Sequence, residues 1–169
     1  MANTYFLIAT TNVAAGGASY IEFTNIPNTW TDLVIYNSIR TNRASVHESL
    51  LLQFNGETAN RLNRRMYHTT STNSTTDTIM YGGQATGATA ETGVFGASHI
   101  YISGYKDSKA TKVSFEYGSA ENNINTYLRD FNANTWTNSS AITSVRITPE
   151  NGGTIQQYST ASLYGISKS

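Results

Sequence analysis

The chain of 169 residues contains no cysteine, only two prolines and only three histidines. Without cysteine it has no disulfide, no thiolate nucleophile and no cysteine-ligated metal. Charged residues make up only 13% of the sequence, and eleven basic side chains balance eleven acidic ones. A net charge of zero gives no attraction to a phosphate backbone or an anionic membrane, and it removes the repulsion between copies of the protein. We therefore expect neither nucleic acid nor membrane as a partner, and self-association is favoured.

Long apolar runs are also missing. Residues 5–9 are too short for the hydrophobic part of a signal peptide, and no basic residue precedes them. No stretch approaches the roughly 20 apolar residues of a membrane helix. These absences predict a protein that is made in the cytoplasm and carries no obvious export signal.

Alternation of apolar and polar residues recurs along the chain, whereas helical periodicity is almost missing. In residues 112–117 the apolar side is formed by Val113, Phe115 and Tyr117. Glu116 lies on the polar side, so we expect it to be solvated. Such alternation is typical of antiparallel sheets with one face in a core and one in water. The same pattern predicts strands at residues 20–23, 32–40, 99–103 and 144–148.

Composition predicts further strands at residues 5–10, 50–54, 127–131 and 163–166, with turn signals such as Asn55-Gly56 between them. About eight to ten short strands indicate an all-β fold, an antiparallel β-sandwich of jelly-roll type. Only residues 57–65 are compatible with a helical turn or two.

The whole chain, residues 1–169, is expected to form one sandwich domain, because no change in composition marks a second one. A polar stretch rich in Thr, Ser and Gly at residues 69–96 predicts a long loop, with one short strand at 79–81. Loops of that length are uncommon in compact domains and often bind a partner.

The sequence contains no recognisable catalytic or cofactor motif. His47, His68 and His99 are scattered without the spacing of a metal site. Residues 130–134 resemble the start of a calcium loop, but Ala141 stands where the bidentate acid is needed. We expect no enzyme activity, no metal, no cofactor and no small-molecule ligand.

Paired carboxylates were the remaining catalytic option, because glycosidases use two opposed acids in a cleft. Glu48, Glu116 and Asp130 are candidates that a sheet can bring together. The position of Glu116 on the polar side of its strand argues for an ordinary solvated charge.

Arginines form the densest basic patch, at Arg61, Arg64 and Arg65, with Arg40 and Arg43 elsewhere in the sequence. Arginine binds carboxylates through two parallel hydrogen bonds, so these five residues are candidates for docking an acidic partner. The alternative is a solvated turn whose charges have no specific role.

Two tryptophans and eleven tyrosines raise the option of a surface that stacks on sugar rings. Trp30 follows a turn at residues 27–29 and is the candidate exposed aromatic. The alternative, which we favour, is that such rings pack in a core or an interface.

Several stretches are similar to a small β-sandwich domain of virion structural proteins from tailed phages, including cyanophages. The resemblance covers nearly the whole chain and carries no catalytic signature. It is carried by residues 18–35, 38–44, 49–56, 64–67, 100–102, 136–145 and 157–166.

The resemblance implies a non-enzymatic component of the virion. Because the chain has no collagen-like, coiled-coil or shaft segment, we expect a decoration (cement) protein on the capsid exterior. Its partners would be the major capsid protein and further copies of itself, as a homotrimer. A tail- or fibre-associated module that recognises host-surface glycans is the alternative.

Overall fold

The computed structural model describes residues 4–68, 72–109, 111–123 and 126–167. These residues form twelve β-strands and no helix. The strands are β1 (Tyr5–Asn12), β2 (Ile21–Phe23), β3 (Asp32–Ile39), β4 (His47–Phe54), β5 (Arg61–His68), β6 (Thr72–Asp77), β7 (Met80–Thr86), β8 (Gly96–Ser103), β9 (Lys112–Asn123), β10 (Thr126–Trp136), β11 (Val145–Pro149) and β12 (Thr160–Ile166).

The strands build two antiparallel sheets that pack against each other. The large sheet has the order β1-β12-β3-β8-β9-β10-β5-β6, and the small sheet has the order β2-β11-β4-β7. The predicted antiparallel β-sandwich is therefore confirmed, whereas its jelly-roll topology stays a prediction.

Apolar side chains fill the space between the sheets where the sequence alternates most clearly. On β3, Leu33, Ile35 and Ile39 are fully buried, as the alternation of residues 32–40 predicts. Alternation also identifies the buried residues of β2, β8 and β11 correctly. Facing side chains from both sheets join one core that includes Ile21, Phe23, Leu50, Leu52, Phe54, Ile100, Ile102, Trp136, Val145 and Ile147.

Two sequence-based expectations are wrong in this part of the chain. The helical turns considered for residues 57–65 are absent, because residues from Arg61 onward belong to strand β5. The long loop expected at residues 69–96 instead contains β6 and β7. Thr-rich segments suit an extended chain at a sheet edge, so a polar composition does not by itself indicate a loop.

β12 lies inside the large sheet although it is the last strand in the sequence. It pairs with β1 on one side and with β3 on the other, in both cases antiparallel. Gly165 of β12 lies beneath the indole ring of Trp30, which stacks on Phe6 with ring centroids 4.5 Å apart.

Substitution of Gly165 by alanine tests this packing. A Cβ there would stand 2.2 Å from two atoms of the Trp30 ring. Because Phe6 holds that ring, we expect G165A to lower the free energy of unfolding by about 1–3 kcal/mol. Urea denaturation measures the loss. G82A is the matched control, since its Cβ would meet nothing closer than 3.4 Å; equal stability of the two variants would contradict the packing.

Candidate interaction face and the polar layer beneath it

β7 lies at the edge of the small sheet, yet all seven of its residues are buried. Side chains of the large sheet form hydrogen bonds with the backbone of β7 on the side where no strand pairs with it. Asn134 accepts from the Tyr81 N–H at 3.1 Å and donates to the Tyr81 carbonyl at 3.0 Å, and the Ser98 hydroxyl accepts from the Gln84 N–H at 3.2 Å. Buried backbone groups require such partners, so the large sheet must be polar where it faces β7.

Gly83 allows β7 to approach the large sheet this closely. Its φ is 114°, a conformation that favours glycine, and a Cβ there would lie 1.7 Å from the Ser98 hydroxyl oxygen. The backbone of β7 and the Ser98 hydroxyl therefore come into contact without a side chain of residue 83 between them.

Buried amides continue the polar layer along β5, β9 and β10. Asn63 donates to the side-chain oxygens of Asn132 at 3.1 Å and Asn134 at 2.7 Å. Asn132 in turn donates to one carboxyl oxygen of Glu116. All four side chains are at most 1% exposed. These hydrogen bonds connect β5, β9 and β10 to one another, although Asn63 Oδ1 and one Glu116 oxygen have no hydrogen-bond partner among the described residues.

Arg65 and Asp130 form a buried ion pair within this layer. Arg65 Nε and Nη2 lie 2.8 and 3.0 Å from the two carboxylate oxygens of Asp130, which is fully buried. Gln84 donates a further bond to Asp130 at 2.7 Å. The guanidinium also lies over the ring of Tyr81, 4.3 Å from its centroid. The pair is thus bidentate and closely packed.

Glu116 shares the layer with Asp130 but has no hydrogen-bonded cation of its own, and its second carboxyl oxygen has no hydrogen-bond partner among the described residues. Burial raises the pKa of Glu116 well above its ordinary value, and the nearby Asp130 raises it further. The Asn132 hydrogen bond and the Arg65 charge oppose this shift. The expectation of a solvated Glu116 is therefore wrong, because the polar side of β9 faces inward.

The structure does bring Glu116 and Asp130 near each other, as a catalytic acid pair requires. Both are 0% exposed, however, and Asp130 is fully engaged by Arg65 and Gln84. Glu48 is also buried and accepts a bond from the Asn151 N–H at 3.0 Å. These carboxyl groups consequently hold strands and turns together beneath the surface, where a dissolved substrate does not meet them.

The opposite side of the same strands is apolar and faces outward. We call the outer surface of β8, β9, β10 and β5 the exterior face. Five large apolar side chains on it are between 44% and 49% exposed: Leu62, Met66, Val113, Phe115 and Phe131. Soluble monomers rarely expose so many adjacent large apolar groups, so the face is a candidate interaction surface.

Strand register places these side chains side by side. Phe115 is opposite Ala133, which is opposite Arg64, and Phe131 is opposite Met66. The middle of the face is thus apolar, while Arg64 lies toward the edge of the sheet with only β6 beyond it.

Two grooves cross the exterior face, and Phe131 lines both. The larger has a volume of about 390 Å³ and is bounded by Tyr36, His99 and Arg129 among others. The smaller, of about 210 Å³, lies beside Met66 and includes Phe115. The rings of Tyr36 and His99 are 4.9 Å apart and form one wall of the larger groove. The exterior face therefore has two depressions that are large enough to hold a side chain.

Arg40, predicted as a docking residue, instead holds the segment that connects β7 and β8. Its guanidinium donates to four backbone carbonyls, at distances of 2.8 to 3.4 Å. These carbonyls belong to Ala88, Ala90, Glu91 and Val94. Because its donors are engaged in this way, Arg40 fixes the position of the segment between β7 and β8.

The other predicted arginines do not form one patch. Arg65 is engaged in its ion pair with a side chain that is 11% exposed, Arg61 and Arg43 are partly buried, and Arg64 is exposed on the exterior face. Burial lowers the pKa of Arg61. Of the five candidates, Arg64 is the one placed to meet a partner through this face, and its docking role stays a prediction.

Trp30 packs within the fold, which is the alternative favoured from the sequence. It is partly buried, stacks on Phe6 and covers Gly165. Trp136 is 1% exposed and meets Phe54 edge to face, with ring centroids 5.7 Å apart. The candidate role of Trp30 as an exposed aromatic is therefore not supported, since the ring packs against the core.

Within the described ranges, no group of three or more His, Asp or Glu side chains is arranged to hold a metal ion. Burial lowers the pKa of His47 and of His99. The side chain of His68 lies outside what the structure describes. No helix in the part of the chain that the structure describes is long and apolar enough to cross a membrane.

The residues of the exterior face were not singled out from the sequence. Alternation in residues 112–117 correctly places Phe115 and Glu116 on opposite sides of β9, but it does not identify which of the two sides is buried. The same alternation occurs in β10, where Asp130, Asn132 and Asn134 alternate with Phe131. Polar residues on the same side of two paired strands ordinarily face water, so this pattern does not by itself identify the buried polar layer.

No protein-family model, no curated protein and no solved structure matches the chain.

Removal of the Arg65 guanidinium tests the ion pair. In R65M the fully buried Asp130 loses its cation and the two hydrogen bonds of the guanidinium, and we expect the free energy of unfolding to fall by about 3–5 kcal/mol. Adding D130N should recover part of this loss, because the uncompensated charge is then gone. Urea denaturation measures both. R64Q, on the exposed neighbour, should change stability by less than about 0.5 kcal/mol; a similar loss in R64Q and R65M would contradict the assignment.

Replacement of Glu116 by glutamine tests the buried acid. The raised pKa means that the folded state holds a proton that the unfolded state releases above pH 4.5, the ordinary value. The contribution of Glu116 to stability is thus fully present below that pH, and it falls by about 1.4 kcal/mol per pH unit as the pH rises toward the folded pKa of Glu116. E116Q should lack this contribution to the pH dependence of stability. The free energy of unfolding of E116Q should therefore increase relative to that of wild type as the pH rises.

Denaturation curves from pH 4 to pH 9 measure the difference between the two proteins. The control is E57Q, because Glu57 is exposed. A pH dependence of stability that is identical in wild type and E116Q would show that Glu116 is ionised in the folded protein.

Proposed function

We propose that the chain is a non-enzymatic structural protein of a tailed-phage particle, specifically a capsid decoration protein that stabilises the shell of major capsid protein. The exterior face supports this proposal, because it is a surface suited to contact with protein. Apolar side chains on hydrogen-bonded strands present a fixed shape, and the polar layer beneath them holds the strands in register. The resemblance of the sequence to phage virion proteins points in the same direction.

Such a protein acts by adding contacts between subunits. A shell contains many equivalent sites, so individually weak contacts sum to a strong restraint on the whole particle. A sheet with few turns on its contact surface suits this role, since little conformational entropy is lost on binding. The protein would be made in the host cytoplasm and would occupy the capsid exterior.

A second candidate function is a tail- or fibre-associated module that recognises host-surface glycans. The larger groove favours it, because the rings of Tyr36, His99 and Phe131 lie beside it. Sugar rings stack on aromatic faces, and groove volumes of this size suit small ligands. Glycan binding that is lost in Y36A would support this candidate; no binding across bacterial polysaccharides would argue against it.

The decoration proposal is tested on intact particles. We expect the chain in a copy number comparable to that of the coat subunits, as measured by quantitative mass spectrometry of purified virions. Particles assembled without it should release DNA at a lower temperature or after a milder osmotic shock. Full heat and osmotic resistance without the chain, or only a few copies per particle, would contradict a capsid role.

A further inference from the structure

We propose that the exterior face is the surface through which copies of this chain bind one another. This inference deepens the proposed function, because it names the partner of the face, and it rests on the view that the face is a protein-binding surface.

The size of the face reaches that of a specific protein interface. The face has four adjacent strands, and β8 and β5 are each eight residues long. With strands about 4.8 Å apart and a rise of about 3.3 Å per residue, the area is about 19 by 26 Å, or about 500 Å². A specific interface buries at least about 1,000 Å² in total, which is about 500 Å² on each partner. The whole surface is thus suited to another protein, whereas a small ligand would cover one groove.

The arrangement of side chains matches the anatomy of an interface. Phe115 and Phe131 occupy the middle, Val113 lies near the start of β9, and Phe131 lines both grooves. Arg64 lies toward the edge, where solvent still reaches it. An apolar centre with a charged margin is typical of interfaces, and interfaces between identical subunits have the more apolar centres.

A second copy is the partner that these features favour. The exterior face is exposed as soon as the chain folds, and apolar patches of this size cause aggregation unless they are covered. Another copy is present wherever the chain is made. The eleven acidic and eleven basic residues cancel, so no net repulsion opposes the approach of identical chains. The polar layer makes the outward position of these apolar groups obligatory, because turning β9 or β10 over would remove the hydrogen bonds of β7.

Sedimentation velocity of the full chain over a range of concentrations tests the proposal. Wild type should sediment as a discrete oligomer of the 18.4 kDa chain. F131D and F115D should raise the dissociation constant about 30-fold or more, because each places a charge at the centre of the face. L7D is the matched control: Leu7 is 60% exposed on β1, remote from the face, and the oligomer should persist. Circular dichroism and thermal melting confirm that each variant is folded.

The absence of native cysteine allows a second measurement on the folded protein. A133C places a single thiol in the middle of the exterior face, and maleimide should label it slowly in the oligomer. The same thiol in the F131D background should react at the rate of an exposed cysteine. Equal labelling rates in the two backgrounds would overturn the proposal, because Ala133 would then be uncovered.

The remaining outcomes separate this inference from the proposed function. A wild-type chain that is monomeric at all concentrations overturns the inference, and if it still decorates particles the proposed function stands. A folded F131D or F115D that keeps the wild-type oligomer also overturns the inference, because the copies then associate elsewhere. An oligomer that is dispersed by both substitutions supports the inference even if the chain is missing from virions, in which case the proposed function fails.

Discussion

The unpaired backbone edge of β7, which the large sheet covers, is the constraint on which most of this molecule depends. An unsatisfied backbone group in such a place costs about 1–3 kcal/mol, and β7 would bury several of them. Asn134, Ser98 and Asn37 supply the missing partners, Asn37 by donating to the Gly82 carbonyl at 3.4 Å. Because residues alternate along a strand, inward polar groups on β9 and β10 leave the apolar ones outside.

Within the polar layer one carboxyl group is paired with a cation, and the other has a raised pKa. Asp130 is bonded by Arg65 and Gln84, whereas among the described residues Glu116 has only the amide of Asn132 as hydrogen-bond donor. An ionised carboxylate without a cation is costly in a buried site, and uptake of a proton removes that cost. The strands that carry these acids also carry Phe115 and Phe131, so the interior chemistry and the outer surface share the same backbone.

The sequence is sufficient to predict strands whose apolar side faces the core. Residues 32–40 and 99–103 alternate clearly, and the apolar side predicted for each is buried, although Val34 on the other side of β3 is buried as well. Prediction fails for β5, where Leu62 and Met66 alternate with Asn63 and Arg65 and the apolar side faces water. It also fails for the all-buried β7, whose glycines and glutamine resemble a loop until the partners of its backbone are known. The sequence also does not show that Arg65 pairs with Asp130, because the two residues are 65 positions apart. The assignment of Arg65 to docking fails for that reason.

The position of β12 between β1 and β3 has a consequence for the order in which the molecule assembles. Among the described strands β1 pairs with β12 alone, so β1 has no place in the sheet until residues near 166 have joined it. The contacts between these two strands span nearly the whole sequence, and contacts of long range form slowly because a large loop must close first. We therefore expect the sheet to close at the β1 edge late in folding.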